Sequence, residues 1–352
     1  MGLITNVLQD FISGVSFLSE KTNTYEQLNK HAPCWTTETA LAQGHGQVID
    51  EWFAQHAQTG RLTTQDGIQC AYAIVRLPDN TQSIVISAGR VESYVKYKEV
   101  IYDLAHAGFD IYIMDHRGQG LSQHSSDNLM HGHVEDFDQY VTDLLQFVDT
   151  HVLPHCATPQ LLCHSMGSAI GALALLKRPQ LFKRVVFSAP MFGLLVPVPL
   201  WLAHAMMFIG MSVSRLLAKP LYFVGQGDYA PELFAQNKLM QSQVRYERFR
   251  QSQQQYPQTQ LGGVTYQWVK AANQALAILN ERANEIILPV LCLNAQKDAV
   301  VDNQLQFALL QQMPNAQWLS IEGAKHEVLF EQDVMRQQAL DAILGFFEHD
   351  DE

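Results

Sequence analysis

The chain has 352 residues, of which 47% are hydrophobic and 16% are charged, and its formal net charge is −12. This length and composition predict one large globular domain, with or without an insertion, and exclude an intrinsically disordered chain. The acidic balance and the lack of a long basic run give no support to nucleic-acid binding, and any attraction to an anionic lipid must come from a local patch. Five cysteines without a C-x-x-C pair predict a reducing compartment and no disulfide framework.

Residues 1–59 are predicted to form an N-terminal helical extension, with amphipathic stretches near 3–18 and 46–57. The first segment lacks the basic n-region and the clear cleavage site of a signal peptide, so a mature terminus is expected. Asn6 stands where a myristoylation signal requires Ser or Thr, so this lipid anchor is not expected either. Packing against the body of the protein is the simplest role for the extension.

From residue 60 onward, strands alternate with helices. Alternating polarity on both sides of Asp66-Gly67 predicts a hairpin over 60–75. The glycine-rich loop at 115–122 lacks the third Gly of a dinucleotide fingerprint and the Lys of a phosphate loop, so nucleotide binding is not favoured. Further strands are predicted at 83–87, 110–114, 161–163, 185–188, 289–294 and 317–321, and helices near 94–107, 134–151, 302–312 and 333–347.

The stretch QLLCHSMGSAIGALALL, residues 160–176, combines a buried strand, a tight turn and an apolar helix. Ser165 at the apex of the turn matches the context of a nucleophile elbow, in which the hydroxyl group is lifted clear of the sheet. The usual G-x-S-x-G pattern has Gly two residues before the Ser, and here that position is Cys163. These residues alone are equally compatible with a serine that caps a buried helix.

The alternation predicts an α/β fold with a mostly parallel sheet and active groups at the carboxyl ends of its strands. The core is predicted over 60–189 and 289–352, and residues 190–288 are predicted to form a helical cap inserted after the sixth strand. The first part of the cap is apolar, but prolines, His204 and Arg215 leave no run long enough to cross a bilayer. It could line an acyl pocket or contact a membrane surface, and a plain buried helical cap is an equally good interpretation.

The second part of the cap is polar and carries Arg245, Arg248 and Arg250. A solvated helix face explains these arginines most simply. Recognition of a phosphate group is the sharper interpretation.

A serine nucleophile requires a base, and the base requires an orienting acid, in the chain order Ser, acid, His for this kind of fold. Asp298 and His326 each follow a predicted strand, as Ser165 does, so all three belong at one edge of the sheet. Asp302 is the rival acid, but it matches a helix N-cap, and Glu327 is expected to stabilise the loop. His164 adjoins Ser165 on a sharp turn and cannot act as its base.

Two main-chain N–H groups are predicted to hold the oxyanion. One belongs to Met166 at the start of the helix, and the other to Arg90 after the turn at Gly89. No group of cysteines or carboxylates completes a metal site around the paired histidines of the chain, so no metal site is expected.

With these residues in place, the chain resembles the monoacylglycerol-lipase-like, serine aminopeptidase S33-type branch of the α/β-hydrolases, and within it the inner-membrane-associated bacterial lysophospholipases. DHRGQG together with HSMG is specific for the branch, while GRVESYVKY and LGGVTYQWV favour the lysophospholipase group. The stretches that carry the resemblance are SAGRVESYVKY (87–97), GFDIYIMDHRGQGLS (108–122), GHVEDFDQYVTDL (132–144), CHSMGS (163–168), LGGVTYQWVKA (261–271) and GAKHEVLFE (323–331).

The resemblance implies catalytic roles for Ser165, Asp298 and His326, and a cytoplasmic enzyme loosely attached to the inner membrane without a metal or cofactor. The expected reaction is hydrolysis of the carboxylic ester of a single-chain acyl lipid, a lysophospholipid first and a monoacylglycerol or general ester second. An aminopeptidase is less favoured, because nothing acidic in the cap obviously recognises a free amine. The alternative from another class is a catalytically silent α/β-hydrolase that binds a lipid or a partner.

Overall fold

The computed structural model describes residues 34–194 and 199–349 and is built around one eight-stranded sheet. The helix predicted near 3–18 lies outside the described residues. The strand order is β1-β2-β4-β3-β5-β6-β7-β8. The strands are β1 (Ala57–Thr63), β2 (Gln69–Val75), β3 (Gln82–Ser87), β4 (Phe109–Met114), β5 (Gln160–His164), β6 (Val185–Ser188), β7 (Val290–Ala295) and β8 (Ala316–Ile321).

Seven strands run in one direction, and β2 alone runs in the opposite direction. β1 pairs antiparallel with β2, and β2 pairs antiparallel with β4, whereas every pair from β4 to β8 is parallel. The predicted hairpin and the mostly parallel α/β sheet are therefore confirmed. The helical extension predicted to end at residue 59 is corrected here, because β1 begins at Ala57 and pairs with Val75.

Helices cover both faces of the sheet. Leu161 and Cys163 of β5 point into one apolar layer, and Leu162 points into the other, as the two-residue period of a strand requires. The helices are α1 (Gly46–His56), α2 (Lys98–His106), α3 (Asp138–Phe147), α4 (Met166–Lys177), α5 (Leu200–Leu217), α6 (Gln243–Gln255), α7 (Tyr266–Arg282), α8 (Asn303–Leu310) and α9 (Asp333–Glu348).

Helix α2 begins later than the sequence predicts. Residues 93–97 form two hydrogen-bonded turns instead, in which the N–H groups of Lys96 and Tyr97 donate to the carbonyl groups of Ser93 and Tyr94. Tyr94, Val95 and Tyr97 of this segment are buried in the same apolar layer as helix α2.

Three helices, α5, α6 and α7, lie between β6 and β7 in the chain. We propose residues 190–288 as the cap and 60–189 with 289–352 as the core. Of the helices in the described part of the chain, none is both long enough and apolar enough to cross a bilayer.

Candidate active site

Ser165 occupies a strained turn between β5 and α4. Its backbone has φ 50° and ψ −118°, a conformation that non-glycine residues rarely adopt and that is concentrated at functional sites. The Ser165 N–H group donates to the Ser188 carbonyl over 3.0 Å, and the Ser165 carbonyl accepts from the Met191 N–H group over 3.0 Å. Ser188 at the end of β6 and Met191 shortly after it therefore hold the turn.

Small residues let α4 pack closely against the strands. A Cβ atom on Gly167 would come within 2.0 Å of the Ser87 carbonyl oxygen, and one on Gly171 within 2.4 Å of the Cys163 sulfur. In the usual motif a glycine at position 163 leaves room between the strand and the helix. Here Gly171 on the helix leaves that room instead, and the Cys163 side chain fits opposite it. Burial raises the pKa of the Cys163 thiol well above its ordinary value, so this residue is not a thiolate nucleophile.

The structure brings Ser165, His326 and Asp298 into one hydrogen-bonded chain. Ser165 Oγ lies 2.8 Å from His326 Nε2, and His326 Nδ1 lies 2.7 Å from Asp298 Oδ2. The second carboxylate oxygen of Asp298 accepts from the N–H groups of Val300 and Val301, over 2.8 and 3.1 Å. This loop fixes the carboxylate, the carboxylate orients the imidazole, and the imidazole can accept the serine proton.

The rival residues have other partners. Asp302 accepts from the N–H groups of Gln304 and Leu305 and caps helix α8. His164 Nδ1 lies 3.1 Å from the Ser188 carbonyl oxygen, and burial lowers the pKa of His164 to about 4, so its ring is neutral. Neither residue competes for the place of acid or base.

The proposed oxyanion donors lie on both sides of Ser165. Met166 is the first residue of α4, where an N–H group has no acceptor within its own helix. Gly89 approaches from the loop after β3, since a Cβ atom there would come within 3.2 Å of the Ser165 Cβ atom. Arg90 follows Gly89 and lines the cleft over the serine, so its N–H group stays our candidate for the second donor.

Above this site lies a cleft of about 400 Å³, a size typical of small-molecule sites. Its floor is Ser165 and His326, and most of its roof comes from the cap. The cap residues that line it are Tyr229, Ala230, Glu232, Lys238, Leu239, Tyr246, Phe249, Arg250 and Gln253.

The cleft contains three cationic residues that have no carboxylate of the described chain within ion-pair distance, namely Arg90, Lys238 and Arg250. Arg90 donates to the Gly262 carbonyl over 2.8 Å, and burial lowers the pKa of Arg90 only to about 10, so it stays charged at neutral pH. The same lining holds three carboxylates, Glu92, Glu232 and Glu327, and Lys96 forms ion pairs with Glu92 and Glu327.

The structure separates the three cap arginines. Arg250 lies in the cleft, over the Tyr229 ring at 5.1 Å, and donates to Gln253. Arg245 is buried elsewhere and donates to Glu99 over 2.9 Å, while Arg248 lies 3.6 Å from Asp50 outside the cleft lining.

The expectation that Arg245 and Arg248 contact substrate is therefore corrected. Helix geometry gives the reason. Arg245 and Arg248 are three residues apart and share one side of α6. Arg250 lies about 140° around the helix axis from Arg245 and faces a different side.

Sequence reasoning missed two residues beside the site. Glu92 and Lys96 lie next to the oxyanion turn, and Lys96 also contacts Glu327, which was expected only to stabilise its loop. The Glu-x-x-x-Lys spacing directly after the Gly89 turn was the available signal. No cluster of metal-ligating side chains occurs within 34–194 or 199–349.

Comparison with known proteins agrees with this geometry. Residues 78–333 match the family described as Serine aminopeptidase, S33. The chain is 36% identical over 321 residues to Lysophospholipase L2 of Escherichia coli K12, covering 89% of this chain and 93% of that protein. It is 30% identical over 300 residues to Probable lysophospholipase L2 of Haemophilus influenzae, covering 84% and 93%.

Solved structures show the same fold. A soluble variant of monoglyceride lipase from Saccharomyces cerevisiae, in complex with a substrate analog, matches with a TM-score of 0.62 at 17% identity, over 83% of this chain and 96% of that one. The monoacylglycerol lipase of Paleococcus ferrophilus matches with a TM-score of 0.59 at 18% identity, over 79% and 98%.

Proposed function

Since the chain belongs to the serine aminopeptidase S33 family of α/β-hydrolases, we propose that it is a lysophospholipase that acts through Ser165, His326 and Asp298. The observation that carries the proposal is the hydrogen-bonded chain from Ser165 Oγ through His326 to Asp298, at the floor of a cleft roofed by the cap. Two relatives match this chain over 93% of their own length, and both are named as lysophospholipases, one of them as a probable one.

In the first half-reaction, Ser165 Oγ attacks the ester carbonyl carbon and its proton passes to His326 Nε2. The Met166 and Arg90 N–H groups hold the negative oxygen of the tetrahedral intermediate. The intermediate collapses, the bond to the glycerol oxygen breaks, and His326 gives its proton to the leaving alcohol. The product is an acyl-enzyme on Ser165.

In the second half-reaction, a water molecule gives a proton to His326 and attacks the acyl carbon. The fatty acid leaves, and Ser165 recovers its proton from His326. Asp298 stabilises the imidazolium in both halves through its contact with Nδ1. No redox step or cofactor enters this sequence.

The cations of the cleft that have no ion-pair partner among the described residues support a substrate with a phosphate group. Arg250 and Lys238 stand at the cap side of the cleft, and Glu232 on the same side lies within ion-pair distance of neither. A guanidinium group matches the geometry of a phosphate, and a monoacylglycerol offers no anion to it. We assign headgroup recognition to Arg250.

We further propose that the enzyme works at a membrane surface, in contact through α5. Trp201, Phe208, Ile209 and Leu216 on this helix are exposed, with Leu216 at 83% and Phe208 at 76%. They form an apolar stripe at helical spacing, typical of a helix that lies in a lipid interface. A peripheral position on the inner face of the membrane agrees with this stripe.

The test is fatty-acid release from lysophosphatidylethanolamine and from monoacylglycerol, with Ser165→Ala as the blank. We expect a preference for the phospholipid in the wild type and no activity in the blank. Arg250→Met should lower kcat/KM for the phospholipid at least tenfold more than for the glyceride, and Arg250→Lys should recover part of the loss.

If the wild type prefers the glyceride, the headgroup assignment is wrong, while the proposed mechanism of ester hydrolysis still holds. If the protein cleaves neither lipid and a fluorophosphonate does not label Ser165, the alternative hypothesis of a catalytically silent binding protein is supported.

A further inference from the structure

The turn that carries the proposed Arg90 donor is held at Gly89 by two buried side chains. The Gly89 N–H group donates to Glu92 Oε2, and the Gly89 carbonyl accepts from Gln119 Nε2 over 2.8 Å. The N–H and carbonyl groups of Gly89 thus both bind side chains, and neither hydrogen bond is part of a helix or a strand. The direction of the next N–H group, that of Arg90, depends on these two contacts.

Glu92 is held in turn by Lys96. The Lys96 ammonium group donates to Glu92 Oε1 over 2.6 Å and to Glu327 Oε2 over 2.5 Å. It also lies over the rings of Phe249 and Phe330, at 4.6 and 4.4 Å from their centres. The side chains of all three charged residues are at most 5% exposed.

Glu327 directly follows His326, and its N–H group donates to the Leu239 carbonyl of the cap over 2.8 Å. Lys96 therefore connects the oxyanion turn with the loop that carries the catalytic histidine. Through Phe249 of α6 it also touches the cap.

Stability alone does not account for this arrangement. Two carboxylates and one ammonium group leave an excess negative charge in a buried place, and well-packed apolar residues are often as stable as a buried ion pair. Burial would raise the pKa of Glu92, but Lys96 and the hydrogen-bond donors around it lower that pKa to about 2. Burial raises the pKa of Glu327, which has fewer donors.

We propose that Glu92, Lys96 and Glu327 form a buried ionic brace that fixes the distance between the oxyanion turn and the loop of His326. Lys96 and Glu327 are thus positioning residues that act through Gly89 and His326. The proposal rests on the proposed function, since it assumes that Ser165, His326 and the Arg90 N–H group carry the reaction. A displacement of about 1 Å in such a site can cost on the order of 10²-fold in rate.

The first test is Glu327→Met, which removes the link at the histidine loop and leaves Lys96 neutralised by Glu92. Active sites are counted by fluorophosphonate titration, and kcat per titrated site is measured on a lysophospholipid. We expect kcat per site to fall at least tenfold with KM within about twofold, while thermal stability is kept. Glu327→Gln keeps an oxygen at the position and should restore most of the rate.

Lys96→Met is the second variant and should lower kcat per site at least as much. The matched control is Arg117→Met, because Arg117 also joins two carboxylates, Asp66 and Asp143, but does not line the cleft. The control should lose stability and keep its kcat per titrated site.

Wild-type kcat per site in both Glu327→Met and Lys96→Met would overturn the brace. An equal loss in Glu327→Gln and Glu327→Met would also overturn it, since an oxygen that still accepts from Lys96 would then not hold the histidine loop in place. A wild type that hydrolyses no lipid and is not labelled would instead show that the proposed function fails, and the brace with it.

Discussion

The sulfur atom of Cys163 lies opposite Gly171, where a Cβ atom would come within 2.4 Å of it. The strand before Ser165 and the helix after it therefore share one small space between them. An elbow with Gly at position 163 could carry a larger residue at 171, and this chain has the reverse arrangement. The departure at Cys163 is thus compensated within the same strand–turn–helix unit.

This pair predicts a non-additive stability change. Gly171→Ala should lower the free energy of unfolding by about 1–3 kcal/mol, because the added methyl group meets the sulfur. In a Cys163→Gly background the clash is gone, and the higher helix propensity of Ala contributes up to about 1 kcal/mol in its favour. Chemical denaturation of the four proteins of the cycle measures the coupling, which should exceed about 1 kcal/mol. Additive changes would contradict the contact.

The central strand–turn–helix unit could be predicted because its signals are local. Ser165 follows an apolar strand and precedes an apolar helix. The spacing of apolar residues on either side therefore predicts its position at the turn, without knowledge of contacts elsewhere in the chain. The positions of Asp298 and His326 follow from the same rule, since each comes after a strand of a parallel sheet.

A second prediction separates Asp298 from Asp302. Asp298→Asn should lower kcat on the order of 10³–10⁴-fold, because the imidazole loses the carboxylate that orients it. Asp302→Ala removes only the cap of α8 and should cost about 0.5–2 kcal/mol in the free energy of unfolding. Initial rates per titrated site, together with denaturant unfolding, measure both effects. A rate loss in Asp302→Ala equal to that of Asp298→Asn would refute the assignment.

What could not be predicted depends on contacts between distant parts of the chain. Lys96 meets a carboxylate 231 residues later, and no local period reports such a pair. The helical period does separate Arg245 from Arg250, but only the packing of α6 decides which side faces the cleft. Arg245 turned inward because Glu99 and Asp333 are there to pair with it.

A third prediction concerns the exposed stripe on α5. Phe208→Glu combined with Leu216→Glu should weaken binding to phosphatidylcholine vesicles at least tenfold. Fully burying one such side chain contributes about 1.5–3 kcal/mol, and both glutamates would resist entry into the interface.

Co-sedimentation with vesicles measures the binding. Val334→Glu is the matched control, because Val334 is an exposed apolar residue of α9, away from the stripe. Equal loss of binding in this control, or full binding by the double variant, would remove α5 as the contact.

The last prediction concerns stability in acid. Burial lowers the pKa of His116 and of His164 from 6.5 to about 4, so the folded protein keeps both rings neutral while the unfolded chain takes up protons near pH 6.5. The unfolded state thus binds more protons between these values, and stability falls as the pH falls through this window. Each histidine accounts for about 3 kcal/mol by pH 4.

Asp115 acts in the opposite direction. Burial raises its pKa from 3.8 to about 6, so the folded protein takes up this proton first and gains stability as the pH falls from about 6 to about 4. Urea unfolding at pH 7.5 and pH 4.5 measures the balance. His116→Asn should reduce the loss of stability between these two pH values by about 2 kcal/mol, and Asp115→Asn should increase it. The same loss in both variants and in the wild type would show that these groups do not titrate as their burial requires.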